Sequence, residues 1–362
     1  MGFLRKAFNK PSLLVPAVSI VLGLICGAIA MLAGGYDPLL AYMSLVKKVF
    51  GSAYNIGETI RAITPLLFTG AAIAFAFRTG LFNIGAEGQF IMGMTGATIV
   101  GVTLQLPWFI HLPLAVMAGG LFGGLWAAIA GYLKANRGVN EVISSIMLNW
   151  IALFLSNFIV AKFLVLKGEQ KSRPIHESAS AKIKFLSEAM DHARVHWGIV
   201  IAIIVIVVFY FLLWRSKRGY ELRAVGHNPN AALYAGINVK KTIVKSMFIS
   251  GIFAGLGGAF ETLGVFGNQL VSAGMPGYGF DGIAVALIGG NTPVGVLLGA
   301  MLLGGLNYGA AGMSFGADVP TEVVRIVIGS IIFFVASHGL VIFFLKPLLK
   351  RRADKREGGG TV

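Results

Sequence analysis

Val195-His196-Trp197-Gly198-Ile199-Val200-Ile201-Ala202-Ile203-Ile204-Val205-Ile206-Val207-Val208-Phe209-Tyr210-Phe211-Leu212-Leu213 runs nineteen residues without Lys, Arg, Asp or Glu. As a helix rising about 1.5 Å per residue, it covers a hydrocarbon layer of roughly 30 Å. Leu13 to Leu32 reads the same way. Strands of a β-barrel would alternate apolar and polar residues in short segments, and these runs do not alternate. The chain therefore reads as all-α and polytopic. Composition agrees: of 362 residues, 56% are hydrophobic and only 12% charged, about half the charge of a soluble domain.

Windows of about 19 residues place ten spans, near 13–34, 62–77, 84–104, 112–133, 142–162, 196–214, 243–264, 281–291, 294–312 and 324–345. The run 281–291 is too short to cross alone. Gly289-Gly290-Asn291-Thr292-Pro293 breaks it from the next segment, so the pair reads as two spans or one re-entrant hairpin. About ten crossings, or eight plus a hairpin, keep the same parity. The formal charge of +15 does not point to nucleic acid, because the cations lie in loops and tails between apolar runs. With both termini cytoplasmic, nineteen of the thirty Lys and Arg fall inside, among them Lys134, Arg137, the 215–245 loop and the basic tail 346–362. Seven of the remainder sit in the external loop 163–195 and at its edge, which also holds Glu169, Glu177, Glu188 and Asp191. Arg5, Lys6 and Lys10 precede the first apolar run, which is longer than a cleavable signal and reads as a retained anchor despite Ala28-Ile29-Ala30. The single cysteine, Cys26, lies in that run and permits no disulfide within the chain. The whole chain, 1–362, reads as one transmembrane domain.

Small residues at helical spacing predict tight helix packing: Gly93, Ala97, Gly101; Gly119, Gly123, Ala127, Gly131; Gly251, Gly255; Gly295, Gly299. In the 215–245 loop, Asn228 suits an N-cap, Pro229 the first helical position and Gly236 the left-handed stop, which predicts a two-turn helix. A helix that short is marginal in water and needs a surface to dock on. Ala231, Ala232 and Ala235 allow close approach.

Intramembrane polar residues mark the candidate route for cargo. Glu87, with Asn83 and Gln89, offers donors and acceptors for sugar hydroxyls and base edges; it also reads as a first-turn acid favoured by the helix dipole. In the fifth span Glu141, Ser145, Asn149, Ala152 and Ser156 share an arc of roughly 80°, which either faces a pore or supplies interhelical hydrogen bonds. Glu261 and Asp281 bracket an outer segment with Asn268, Gln269 and Ser272, read either as charged helix ends or as a receptor surface. Asn307 and Tyr308 read as packing anchors. His111, His227 and His338 are isolated, and no ligand spacing suggests a metal or another cofactor.

Arg223-Ala224-Val225-Gly226-His227-Asn228, Ala231-Ala232 and Gly236-Ile237-Asn238-Val239 resemble the coupling loop of permeases in the ribose and branched-chain amino-acid branch of ABC importers. Phe82-Asn83-Ile84-Gly85-Ala86-Glu87-Gly88-Gln89, the run from Asn140 to Asn149 and Gly279-Phe280-Asp281-Gly282-Ile283-Ala284-Val285-Ala286-Leu287 look like the nucleoside-type permeases that work with a purine-nucleoside-binding lipoprotein. The resemblance covers about residues 60–345. It implies a type II importer fold in a bacterial plasma membrane, with nucleoside as cargo. It also implies a second homologous permease, an ATPase with two fused nucleotide-binding halves and an extracellular lipoprotein. Arg223, Asn228, Pro229, Ala231, Ala232, Tyr234 and Gly236 would then meet the ATPase. Independently, the dipeptide Gly-Lys is absent, so the chain has no phosphate-binding P-loop and no motor of its own. The rival readings are a permease for a simple sugar or amino acid, an ion-coupled secondary transporter using Glu87 and Asp281 on broken helices, and a polytopic membrane enzyme.

Overall fold

The computed structural model describes residues 11–166 and 168–337. Arg5, Lys6, Lys10, His338 and the basic tail 346–362 lie outside the described residues. The chain forms two units, one of Met1–Lys48 with Gly309–Val362 and the other of Val49–Tyr308.

In the first unit, α1 (Pro11–Ala33) packs on α14 (Thr321–Ala336). A Cβ on Gly23 would lie 2.5 Å from Ile331 Cα, so a side chain there would force the helices apart. The Tyr42 hydroxyl donates to Leu24 O (2.7 Å), which ties α2 (Pro38–Phe50) to α1.

The second unit carries α3 (Ala53–Arg78), α4 (Ala86–Thr103), α5 (Trp108–Arg137), α6 (Glu141–Ile159), α7 (Lys184–Ala189), α8 (Gly198–Trp214), α9 (Lys217–His227), α10 (Pro229–Tyr234), α11 (Val239–Phe260), α12 (Tyr278–Ile288) and most of α13 (Pro293–Ala317). Two π-helical turns, Val160–Leu164 and Glu261–Phe266, extend α6 and α11. Each of the ten windows read from sequence holds a helix among the described residues, with 338–345 of the last window lying outside them. By length and apolarity α3, α5, α6, α11 and α13 can each cross a membrane, and α8 with α9, bent by 74°, makes a sixth candidate. Val18–Ala33 and Tyr278–Ile288 are apolar but shorter. The break between α12 and α13 falls where the glycines predict it, with Gly290 and Asn291 at φ of 57° and 53°.

On α6 burial is inverted relative to a helix of a soluble protein. On α6 the buried face carries Glu141, Ser145, Asn149, Ala152 and Ser156, while Ile143, Met147, Trp150, Ile151, Phe154 and Phe158 are exposed. In lipid the apolar stripe needs no cover, and polar groups must find partners inside the bundle. The core is a three-helix crossing of α4, α5 and α11 at which backbones touch. A Cβ on Gly93 would lie 2.2 Å from Gly255 O, one on Gly123 2.5 Å from Gly251 O, and one on Gly258 2.0 Å from Phe90 O. Gly93, Gly119, Gly123, Gly251 and Gly255 of the predicted set pack here, whereas Gly295 and Gly299 approach Gly289 and Val285 instead.

Three features depart from the sequence reading. Residues 38–50 form α2, where no element was expected. The 215–245 segment is largely helical, since α9 precedes the expected two-turn helix and α11 begins within it. Finally, 163–195 is not a loose loop. Ser172 N donates to Gln269 O (2.8 Å), Ile175 N to Gly267 O (2.9 Å) and Ala181 N to Leu263 O (2.9 Å), so the segment lies along 263–271.

Candidate functional site

The turn between α3 and α4 gathers most of the residues singled out by sequence. Asn83 and Gln89 close a reciprocal amide pair, Nδ2 to Oε1 and Nε2 to Oδ1, both 2.9 Å. Asn83 Nδ2 also donates to Ser250 Oγ (2.8 Å), which donates to Ala72 O (2.7 Å). From α6, Asn149 accepts from Gly88 N (2.8 Å) and donates to Ile84 O (3.1 Å). Asn83, Glu87, Gln89 and Asn149 are all buried.

Glu87 sits in the first turn of α4 and accepts from Gly277 N (2.6 Å) and Gly279 N (2.5 Å) at the start of α12. One buried carboxylate is thus shared by the N-termini of two helices, whose partial positive charges both favour it. Gly279 is required for the approach, because a Cβ there would lie 2.3 Å from Glu87 N. Ser145 is buried near this turn with its Oγ unpaired. Glu141 stands apart, ion-paired with Lys134 of α5.

The predicted coupling segment has the expected local chemistry. Asn228 Oδ1 accepts from Asn230 N and Ala231 N, both 3.0 Å, Pro229 is the first helical residue, and Gly236 takes φ 80°. Ala232 is buried, whereas Leu233 is exposed and Tyr234 is 93% exposed. Arg223 on α9 is half-buried with Nε unpaired. The backbone of Gly226 rests on Thr79 and Gly80, where a Cβ would meet Thr79 C at 2.6 Å. Thr79 in turn bonds Ser246 of α11.

A second polar region holds Glu261, Asn268, Gln269 and Ser272, read from sequence as helix ends or a receptor surface, together with Glu58, Arg61 and Arg194, which sequence reasoning missed. A cavity of about 240 Å³ is lined by Phe90, Asn157, Glu261, Phe266, Gln269 and Tyr278 among others. The Phe90 and Tyr278 ring centroids are 5.2 Å apart. Glu261 is 1% exposed, so it is not a helix end at the aqueous interface; its Oε1 accepts from the Tyr278 hydroxyl (3.1 Å) and lies 3.9 Å from Arg61 Nη1. Arg61 also pairs with Glu58 (2.7 Å), which accepts from Arg194 Nη2 (2.7 Å) and Nε (3.0 Å). The signal available was Glu58 and Arg61 at i, i+3 within an apolar helix. Of the other residues weighed, Asn307 donates to Asp281 (2.9 Å), Tyr308 to Asn55 (3.2 Å), and His111 pairs with Ser178 (2.7 Å).

Outside the spans, the hydrogen bond from Lys184 holds the Glu177 carboxyl below its ordinary range, and the same bond raises Lys184. Among the described residues no group of three His, Cys, Asp or Glu is placed to hold a metal ion.

The family described as the branched-chain amino acid transport system / permease component matches residues 55–336. The guanosine ABC transporter permease protein NupP of Bacillus subtilis (strain 168) is 50% identical over 342 residues, covering 94% of this chain and 98% of that protein. The nucleoside ABC transporter permease protein NupB of Lactococcus lactis subsp. cremoris is 37% identical over 354 residues, 95% of this chain and 97% of its own. The glucose ABC transporter permease protein TsgB13 of Haloferax volcanii is 30% identical over 326 residues, 88% and 86% respectively. By this match and these identities the chain belongs to the branched-chain amino acid transport system / permease component family: it is a multi-pass plasma-membrane transport subunit and not an enzyme.

Proposed function

We propose that the chain is the permease subunit of an ATP-driven ABC importer for nucleosides. The observation that carries this reading is the 50% identity, over nearly the whole of both chains, to a protein named a guanosine permease. The second permeases NupQ of Bacillus subtilis and NupC of Lactococcus lactis, 29% and 28% identical, support a heteromeric pair. An ATPase with two fused nucleotide-binding halves and an extracellular substrate-binding lipoprotein complete the machine in this reading. The chain crosses the membrane about ten times as one type II permease domain, with both termini and the 215–245 segment cytoplasmic and 163–195 external.

In mechanism, α10 offers Leu233 and Tyr234 to the ATPase, with Asn228, Pro229 and Gly236 shaping the helix, Ala231 at the contact and Ala232 and Arg223 buttressing it. The contact of Gly226 with Thr79 and Gly80 supports transmission from there into α3 and α11. ATP binding and hydrolysis bias the bundle between two packings. Asn83, Glu87, Gln89, Ser145 and Asn149 form the pathway wall, opened to cargo when α12 separates from Glu87, and Glu141 steadies the entry of α6.

Affinity purification of the tagged chain from its native membrane tests the assembly, and an ATPase, a second permease and a lipoprotein are expected with it. Labelled guanosine uptake is expected to require ATP and to be competed by unlabelled nucleosides. Competition by glucose or leucine instead would move the cargo to the sugar or amino-acid class. Uptake by the chain reconstituted alone, driven by an ion gradient, would overturn the reading.

A further inference from the structure

Asp281 differs from the other acids of the apolar helices. Glu58, Glu87, Glu141 and Glu261 are buried, and each is bonded within the bundle. Asp281 is only half-buried, and its Oδ2 accepts from Nδ2 of Asn307 (2.9 Å), which is exposed. Among the described residues no other hydrogen bond engages either side chain, so Asp281 Oδ1 stays open.

The pair also lies deep. Beyond the end of α12 the Gly290 and Asn291 carbonyls accept from Arg78, the exposed last residue of α3, whose guanidinium lies over the Trp214 ring. Arg and Trp at the ends of apolar helices mark the edge of the hydrocarbon layer. From that edge the eleven residues of α12 rise about 16 Å. At its other end a Cβ on Gly282 would lie 2.5 Å from Thr69 Oγ1, and Thr69 precedes Arg78 by nine residues, about 13 Å of helix. Asp281 therefore stands near the middle of a layer roughly 30 Å thick. The chain that descends to it, 267–277, is not helical. Ser272 in that stretch is bonded to Asn157 inside the span Glu141–Leu164, and Ser272, Ala273, Gly274 and Pro276 are exposed.

Lipid suits neither feature. A carboxylate at mid-depth is costly in hydrocarbon, and irregular backbone at membrane depth persists only where protein buries it or where it lines water. Both features occur over 272–281 and both reach the surface, so this stretch lines water. Gly279 abuts Glu87; two positions on, at about 100° per residue, Asp281 points to the opposite side of α12. The water-lined side is thus distinct from the closed turn around Glu87.

We infer that Asp281 and Asn307 form a cargo contact on the wall of the nucleoside pathway, with Asp281 Oδ1 accepting from a ribose hydroxyl. An ionised carboxylate offers acceptors only, and the ribose hydroxyls are donors that every ribonucleoside carries whatever its base. The inference rests on the nucleoside reading above. It adds a contact that is open in this packing, where the Asn83 network is closed on itself.

The test places single cysteines in the complete importer, in membrane vesicles, with Cys26→Ala removing the chain's own thiol. Labelling of this chain by a water-soluble thiol reagent is read. Asn307→Cys is expected to react about tenfold or more faster than Ile151→Cys, on the exposed apolar face of α6, because a thiol in apolar surroundings stays protonated. Saturating guanosine or uridine is expected to slow the first reaction and leave the second unchanged. Asp281→Asn keeps the shape and removes the charge. Its guanosine and uridine uptake is expected to fall alike, about tenfold, as loss of a charge-assisted hydrogen bond implies, with the thermal midpoint of the assembled complex unchanged. No labelling of Asn307→Cys, or labelling that neither nucleoside slows, overturns the inference and leaves nucleoside transport standing. Protection or a fall confined to one base assigns the contact to the base and also overturns it, as does a fall that comes with loss of the complex. No nucleoside uptake by wild type removes the nucleoside reading itself. Should Asn307→Cys not assemble with its partners, Phe280→Cys, beside Asp281 and exposed, is expected to give the same labelling and protection.

Discussion

The Asn83 turn and the Glu261 cavity are both polar regions buried in the second unit, yet they treat their hydrogen-bonding capacity in opposite ways. At the turn, Asn83, Gln89, Asn149 and Ser250 bond one another or backbone and Glu87 takes two amides at the start of α12, while the neighbouring Ser145 Oγ is left unpaired. At the cavity, Glu261 and Gln269 each keep an unpaired atom. A closed network in a low-dielectric interior fixes the relative positions of helices. An open one costs stability and persists where something else completes it. Polar side chains in apolar helices therefore fall into two kinds, and composition alone does not separate them.

Several substitutions break or sharpen the contrast. Glu87→Ala removes the shared acceptor of the part-buried Gly277 N–H and the buried Gly279 N–H, at up to about 1–3 kcal/mol each. A large fall in the thermal midpoint of the detergent-solubilised protein is expected, with loss of uptake. A Glu87→Ala protein that assembles normally and transports at the wild-type rate would remove Glu87 from the pathway. Asn149→Ala orphans Gly88 N and Ile84 O, and about 2 kcal/mol is expected from the same measurement. Asn228→Ala removes the cap of α10, for about 1 kcal/mol of local helix stability. It should be read as faster amide exchange over 230–236 and weaker ATPase association, with the bundle unchanged. The smallest effect on stability is expected from Glu261→Gln, because the bond to Tyr278 survives and only a 3.9 Å contact with Arg61, which keeps Glu58, is weakened. If Glu261→Gln destabilised the protein as much as Asn149→Ala, the distinction between the two regions would fail.

The sequence was legible where one residue's own chemistry decides the outcome. Asn228, Pro229 and Gly236 specify α10 locally, and the spaced glycines of α5 and α11 specify a close crossing because no other residue permits backbone contact. The polar face of α6 was found by its period, but whether it met water or α4 was open, since either fits Ser145, Asn149 and Ser156. The α2 helix was missed because its thirteen residues are shorter than a spanning window and end in Lys47, Lys48, Val49 and Phe50. The α9 helix was missed because its Lys, Arg and Glu give no apolar stripe to follow.

The amino-acid order alone fixes the solvent: continuous apolar runs without charge can satisfy their backbones in lipid only as helices, which makes the chain a polytopic bundle. The tertiary structure decided which polar groups spend their bonds on the fold and which keep them. Glu87 meets Gly277 and Gly279 across 190 residues of chain, and Glu261 meets Tyr278 through a widened helical turn. A hydrogen bond depends on where its partner lies in space, and sequence spacing carries that information only within a helix or a turn.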